Sequence, residues 1–88
     1  MKKVVFGLAT IPSRTHLLWR VLKSIHNQAD IIEVAFNGHD EIPKYINHYP
    51  KVVVNMCTNE MGDANKFLNV DKYQDHYYFS IDDDIIYP

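Results

Sequence analysis

Short apolar runs alternate along the chain with stretches in which apolar residues recur at helical spacing. The first run is apolar at both odd and even positions, which is typical of a strand buried on both faces of a sheet. Four such runs predict strands at residues 4–9, 31–36, 51–55 and 77–81. Three helical stretches are predicted between them, at residues 15–28, 40–49 and 63–69, the last with Ala64, Phe67 and Leu68 facing inward.

The first connecting stretch carries the clearest helical pattern. Its apolar residues form a single stripe, whereas Arg20 and Lys23 fall on the opposite side. The stripe consists of Leu17, Leu18, Val21, Leu22 and Ile25. Strands that alternate with helices in this way predict parallel pairing through right-handed crossovers. We therefore expect an α/β fold, a Rossmann-like and mainly parallel sheet of about four strands with flanking helices in a three-layer α/β/α arrangement.

Composition narrows the class of protein. The 88 residues, of which 47% are hydrophobic and 23% charged, predict one small globular domain. The formal net charge of -2, without a basic cluster in the sequence, argues against a nucleic-acid partner. The single cysteine, Cys57, excludes a disulfide within the chain and favours a cytoplasmic location. No run reaches the ~20 apolar residues of a transmembrane helix, so none is predicted.

Three consecutive carboxylates, Asp82-Asp83-Asp84, follow the last predicted strand. In parallel α/β sheets, ligands bind beyond the carboxyl ends of the strands. Carboxylates this close repel one another, and a divalent cation among them removes that repulsion. Mg²⁺ and Mn²⁺ prefer oxygen ligands and often use one or two carboxylates together with substrate phosphates. The triplet therefore predicts a metal site, in which strand geometry would turn Asp82 and Asp84 to one side and Asp83 to the other.

Other interpretations of the polar residues stay open. The triplet is also compatible with a solvated acidic loop, and a phosphatase-type Asp-x-Asp-x-Thr motif is a weaker match because Ile86 stands in place of threonine. The three glycines form neither a dinucleotide-binding G-x-G-x-x-G motif nor a P-loop. Lys66 lies one turn into the third predicted helix, where a lysine can neutralise a diphosphate or contact a base. The alternative is an exposed helix that Asp63 caps.

Four segments, taken in order, carry a resemblance to a known family. They are residues 7–14 (GLATIPSR), 36–38 (FNG), 62–67 (GDANKF) and 79–88 (FSIDDDIIYP). Together they resemble the GT-A glycosyltransferases, particularly the family-2-like enzymes, and the last segment resembles their D-x-D motif. The resemblance implies a metal-dependent enzyme that binds a nucleotide-diphosphate sugar, with a UDP-sugar as first choice, and transfers the sugar to an acceptor that the sequence does not identify.

The resemblance also implies which residues bind the nucleotide sugar. Thr10, Pro12 and Arg14, in the loop after the first strand, would lie beside it. Asn37 would face the base, at a position where many members of the family have aspartate. Lys66 would lie near the base and the phosphates.

The acidic motif has its own implied roles. Asp82 and Asp83 would approach the ribose or the donor sugar, and Asp84 together with Asp82 would hold Mn²⁺ or Mg²⁺. That ion would bridge the diphosphate and stabilise the charge on the leaving nucleoside diphosphate. In the family, the general base and the acceptor site follow this motif. Residues 1–88 are therefore expected to be the nucleotide-sugar-binding half of a longer domain and to be inactive alone, with the catalytic base beyond residue 88.

A non-enzymatic interpretation competes with this one. Tyr77, Phe79 and Ile81 share one parity of the last predicted strand, and they would form an apolar docking face if no helix covered them. The chain would then be a non-catalytic interaction module or a truncated remnant that self-associates. The expected partner is in that case another copy of the chain, and otherwise a C-terminal half.

Overall fold

A computed structural model describes residues 2–58 and 62–83 of the chain. Within these residues, the strands are β1 (Val4–Thr10), β2 (Ile31–Asn37), β3 (Val52–Cys57) and β4 (Tyr77–Ser80). The same residues form one α-helix, α1 (Thr15–Ile25). They also form short 3₁₀ helices at Pro12–Arg14, Lys44–His48, Gly62–Phe67 and Val70–Tyr73.

The four described strands form one sheet in the order β3-β2-β1-β4, and every pairing in it is parallel. The predicted Rossmann-like α/β fold with a parallel sheet and flanking helices is confirmed. β1 pairs with β2 through Val5↔Ile31 and the following residues, and with β4 through Val4↔Tyr77. Because β2 and β4 lie on opposite sides of β1, the strand order reverses between β1 and β4. In open α/β sheets, such a reversal is where ligands bind.

α1 packs its apolar stripe against one face of the sheet. Its buried residues are Leu18, Val21, Leu22 and Ile25, and they join Leu8, Ile32, Val34 and Phe36 in one core cluster. Full burial of each large aliphatic side chain stabilises the fold by roughly 1.5–3 kcal/mol relative to exposure. The helix ends at Ile25 rather than at the predicted residue 28. The Lys51 amine donates to the carbonyl oxygens of His26 and Ala29, at 2.7 and 2.9 Å, and so satisfies acceptors at this helix end.

The second predicted helix is shorter than expected and of the 3₁₀ type. It covers only Lys44–His48, because Pro43 keeps an extended backbone with φ -58° and ψ 139°. Ile46 is buried, and Tyr45 and Tyr49 pack against the core cluster. The helical spacing therefore identified the inward-facing residues of this connection but not its backbone conformation.

The prediction of a third helix is wrong both in the type of helix and in the residues that face inward. Residues 62–73 contain two short 3₁₀ helices. They lie on the face of the sheet opposite α1, because they contact Asn37 and Glu33, which alternate along β2 with the residues that pack against α1. Phe67 and Leu68, which were predicted to face inward, are 46% and 53% exposed. Polar side chains attach this segment to the sheet instead. No helix among the described residues has both the length and the apolar character needed to cross a membrane.

Candidate functional site

An ion pair joins the carboxyl ends of β1 and β4 at the point where the strand order reverses. After β1 ends at Thr10, the 3₁₀ turn Pro12–Arg14 leads into α1, and Arg14 Nη1 lies 3.0 Å from Asp83 Oδ1. The Ile81 amide donates to the Gly7 carbonyl at 3.0 Å, which keeps the chain after β4 alongside β1. Two residues separated by 69 positions in sequence thus meet at the predicted ligand-binding edge.

Two buried oxygens at this edge of the sheet have no hydrogen-bond partner in the part of the chain that the structure describes. Asp83 is 3% exposed and Thr10 is 1% exposed. Among residues 2–58 and 62–83, neither Asp83 Oδ2 nor Thr10 Oγ1 finds a hydrogen-bond partner. Buried polar atoms in folded proteins are nearly always hydrogen-bonded. These oxygens therefore mark a place where a ligand group or an ion would relieve an unfavourable burial.

A second pair of opposite charges lies at the same edge. Lys66 Nζ is 3.7 Å from Asp82 Oδ1, with the lysine side chain 15% exposed and the aspartate side chain 53% exposed. Asp82 and Asp83 therefore have different cationic partners and different exposure, which agrees with the predicted alternation of these two side chains. Asp84, predicted as the principal metal ligand, lies outside the described residues.

Asn37 lies at the end of β2, the strand beside β1, and its side chain is hydrogen-bonded to another residue of the protein. It is 2% exposed at the end of β2, and its Oδ1 accepts a hydrogen bond from Asn65 Nδ2 at 2.7 Å. Gly38 follows with φ 70°, a conformation that favours glycine, and its amide donates to the Cys57 carbonyl. Contact between Asn37 and a base stays a prediction, whereas its contact with Asn65 ties β2 to the 62–73 segment.

A cavity of about 500 Å³ opens between the loops that follow β1 and β2. Its lining includes the predicted nucleotide-binding residue Pro12 and also Thr15, Gly38, His39, Ile42 and Lys44. His39 Nε2 lies 2.8 Å from Thr15 Oγ1, and the imidazole edge packs on Phe36 at 5.1 Å between ring centroids. Burial lowers the pKa of His39, which favours the neutral ring. A neutral ring adds no positive charge to the cavity.

The sequence did not single out this cavity, because none of the five histidines forms a close pair with another histidine or with the cysteine. A signal for His39 was present, since it directly follows the turn pair Asn37-Gly38 at the carboxyl end of a buried strand. Thr15 gave no such signal. Its hydroxyl reaches His39 only because the β1–α1 and β2–β3 connections are brought side by side by the parallel pairing of their strands.

The oxygen donors at the β1–β4 edge fit a hard divalent cation. Asp82 is exposed and Asp83 Oδ2 lacks a partner among the described residues, and Mg²⁺ commonly binds one or two carboxylates plus phosphate oxygens. Within residues 2–58 and 62–83, no group of three or more histidine, cysteine, aspartate or glutamate side chains is arranged to hold a metal. Binding of Mn²⁺ or Mg²⁺ at this edge therefore stays a prediction.

The structure brings most of the predicted site residues together. Thr10, Arg14, Lys66, Asp82 and Asp83 gather at the β1–β4 edge, while Pro12 lines the cavity and Asn37 lies buried at the end of β2. The chain matches no model of a known protein family, and a search of curated proteins also gives no match. A functional assignment therefore depends on the chemistry of these residues.

Proposed function

We propose that the chain binds a nucleotide-diphosphate sugar, with UDP-sugar as the first candidate, as the donor half of a metal-dependent glycosyltransferase. The observation that carries the proposal is a pair of buried oxygens at the reversal of strand order, on Thr10 and Asp83, which have no hydrogen-bond partner among residues 2–58 and 62–83. The Thr10 hydroxyl can donate to a phosphate oxygen and the Asp83 carboxylate can accept from a sugar hydroxyl, so the two groups suit a ligand that carries both.

The charges at this edge suit a diphosphate. Arg14 and Lys66 supply two cations, and the Arg14 side chain is 50% exposed, so the negative charge of a phosphate can approach it from solvent. The cavity lined by Pro12 and His39 has the volume expected of a small-molecule subsite, and a base is the part of the ligand that suits it.

Mn²⁺ or Mg²⁺ is the proposed cofactor, held by Asp82 and by Asp84, which lies outside the described residues. When bound, the ion would neutralise charge on the diphosphate leaving group. The protein's own residues would bind and orient the donor: Thr10 and Asp83 would satisfy their buried oxygens on ligand hydroxyls or the ion. The general base and the acceptor site are expected beyond residue 88, so donor binding rather than sugar transfer is the activity proposed for residues 1–88.

The proposal predicts that UDP binds measurably only when Mn²⁺ or Mg²⁺ is present. Asp84→Ala is expected to weaken this binding about tenfold or more, which corresponds to roughly 1.4 kcal/mol. Isothermal titration of the folded chain with UDP, with and without the metal, measures both effects. Asp75→Ala is the matched control, because Asp75 is an exposed aspartate just before the amino end of β4. Absent or metal-independent binding in a folded sample, or equal affinity in Asp84→Ala, would contradict the proposal.

A second candidate function is self-association through the exposed face of β4. Tyr77 and Phe79 are 54% and 51% exposed on this edge strand, and Phe79 packs edge-on against Phe6 at 5.9 Å between ring centroids. Exposed apolar groups on an edge strand favour pairing with another chain. Ile81 was predicted to belong to the same face, but it is buried in the core cluster at 9% exposure.

If this second function is correct, the chain is a dimer or larger in solution, and Phe79→Lys returns it to a monomer. Light scattering after size-exclusion chromatography measures the mass of each variant. Leu68→Lys provides the control, since Leu68 is equally exposed but lies on the opposite side of the sheet. A wild-type chain that remains monomeric at high concentration excludes this candidate.

A further inference from the structure

Glu33 is a buried carboxylate on the face of the sheet opposite α1. It is 3% exposed in the middle of β2, where its neighbours in sequence are apolar. Glu33 forms no ion pair with another residue of the described ranges 2–58 and 62–83. Carboxylates are almost never fully buried unless they are paired, so this side chain must be stabilised in another way.

Neutral donors from three residues satisfy the Glu33 carboxylate. Its Oε1 accepts hydrogen bonds from Asn69 Nδ2 at 2.5 Å and from Asn55 Nδ2 at 3.3 Å, and its Oε2 accepts one from the Tyr73 hydroxyl at 2.9 Å. Burial, and after it the hydrogen bond to Glu33, raises the pKa of Tyr73 to about 12, so its hydroxyl keeps the proton that it donates. Hydrogen bonds to a charged acceptor are stronger than those between neutral groups.

These donors connect Glu33 to the 62–73 segment. Asn69 lies between the two 3₁₀ helices of the segment, and Tyr73 ends the second one. The apolar side chains of Phe67 and Leu68 are about half exposed, so they contribute little to attachment. Two hydrogen bonds from the segment to one buried carboxylate are therefore a principal attachment of its second half to the sheet.

The first half of the segment carries Lys66. The Tyr78 hydroxyl donates to the Lys66 carbonyl at 2.6 Å, and the lysine amine lies 3.7 Å from Asp82 Oδ1. Lys66 precedes Asn69 by only three residues. A shift of Asn69 away from Glu33 would consequently move the backbone that sets the position of the Lys66 amine.

We propose that Glu33 is a positioning residue, which acts through Asn69 and Tyr73 to hold the 62–73 segment and thereby keeps the Lys66 amine beside Asp82. The role of Lys66 toward a diphosphate rests on the function proposed above. The position of its amine does not, and it can be measured without any ligand. The Lys66 side chain is 15% exposed, so release of the segment would make the amine more accessible to reagents.

Amine labelling of the ligand-free chain, read by mass spectrometry, tests the positioning. In Glu33→Gln, which loses the charge but keeps the size, Lys66 is expected to react several-fold faster than in the wild type. Tyr73→Phe, which removes one of the hydrogen bonds, should cause a smaller increase. Lys51 is the matched control, because its amine is also held by hydrogen bonds, to His26 and Ala29, but on the side of α1.

Unchanged labelling of Lys66 in Glu33→Gln overturns the proposal, and so does an equal acceleration at Lys51, which would mean that the whole fold has loosened. If Glu33→Gln does not fold, Tyr73→Phe decides alone: an increase at Lys66 without one at Lys51 supports the proposal, and its absence overturns it.

UDP titration in the presence of Mn²⁺ then tests the link to the site. Glu33→Gln should weaken binding several-fold in the wild-type background and have no further effect in Lys66→Met. An equal loss of UDP affinity in both backgrounds would mean that Glu33 does not act through Lys66, and would overturn that part of the proposal. If the wild-type chain does not bind UDP while Lys66 labelling responds as expected, the proposed function fails and the positioning role of Glu33 stands.

Discussion

Gly7→Ala is expected to lower the free energy of unfolding by about 3 kcal/mol, the upper end of the usual cost of overpacking a core. A Cβ atom at this position would overlap the Tyr78 hydroxyl and the Lys66 carbonyl oxygen, and it would lie 2.7 Å from Cζ of the Tyr78 ring. Because β1 is hydrogen-bonded on both sides, to β2 and β4, the strand cannot move away to make room. The strain must therefore displace Tyr78 or the 62–73 segment.

Urea denaturation of four proteins measures this effect: the wild type, Gly7→Ala, Tyr78→Phe and the double variant. Tyr78→Phe alone should cost about 1 kcal/mol, the net value of one hydrogen bond. In the double variant the hydroxyl no longer opposes the new methyl group, so the combined loss should be smaller than the sum of the single losses. Wild-type stability in Gly7→Ala, or strictly additive losses, would show that the close packing over Gly7 is not rigid.

The parts of the fold that sequence predicted correctly depend on local periodicity. The apolar runs and the stripe ending at Ile25 identified every described strand and α1, because burial on one or both faces imposes a repeat that the sequence displays directly. The polar residues at the carboxyl ends of the strands were also placed correctly, since parallel pairing brings those ends to one edge of the sheet.

The face opposite α1 could not be predicted in the same way. Its attachment depends on hydrogen bonds between Glu33 and residues 22, 36 and 40 positions away, which leave no periodic pattern in the sequence. Phe67 and Leu68 were therefore assigned to the core by hydrophobicity alone. The one local sign was Glu33 itself, a charged residue inside an apolar strand, which indicates a buried polar network but not its partners.

The ion pair at the candidate site is a second feature that could not be predicted from the sequence. The sequence placed Arg14 and Asp83 at the same edge, and the family resemblance linked both to the ligand. It did not indicate that they would pair with each other, nor that Asp83 would be the buried carboxylate and Asp82 the exposed one. Those facts depend on how the 3₁₀ turn Pro12–Arg14 directs the arginine, which the composition of the loop does not specify.

Arg14→Met is the substitution at the site with the largest expected effect on stability, a loss of about 2 kcal/mol. Removal of one partner from a fully buried ion pair costs about 3–5 kcal/mol, and the smaller value is expected here because Arg14 is half exposed to solvent. The loss arises because the Asp83 carboxylate would stay buried without its arginine partner. Arg20→Met, which removes an exposed arginine from α1, is the matched control and should change stability little.

Asp83→Asn distinguishes the cost of the buried charge from the value of the pair. It removes the charge and leaves Arg14 partly solvated, so it should cost less than Arg14→Met, about 1 kcal/mol. The double variant Arg14→Met/Asp83→Asn should then be more stable than Arg14→Met alone, as urea denaturation would measure. A double variant less stable than either single one would mean that the two side chains act independently. Because the double variant also lacks Arg14, UDP titration of Asp83→Asn alone tests the carboxylate: weaker binding in a folded sample would assign Asp83 to the ligand, because an amide keeps the packing but not the negative charge.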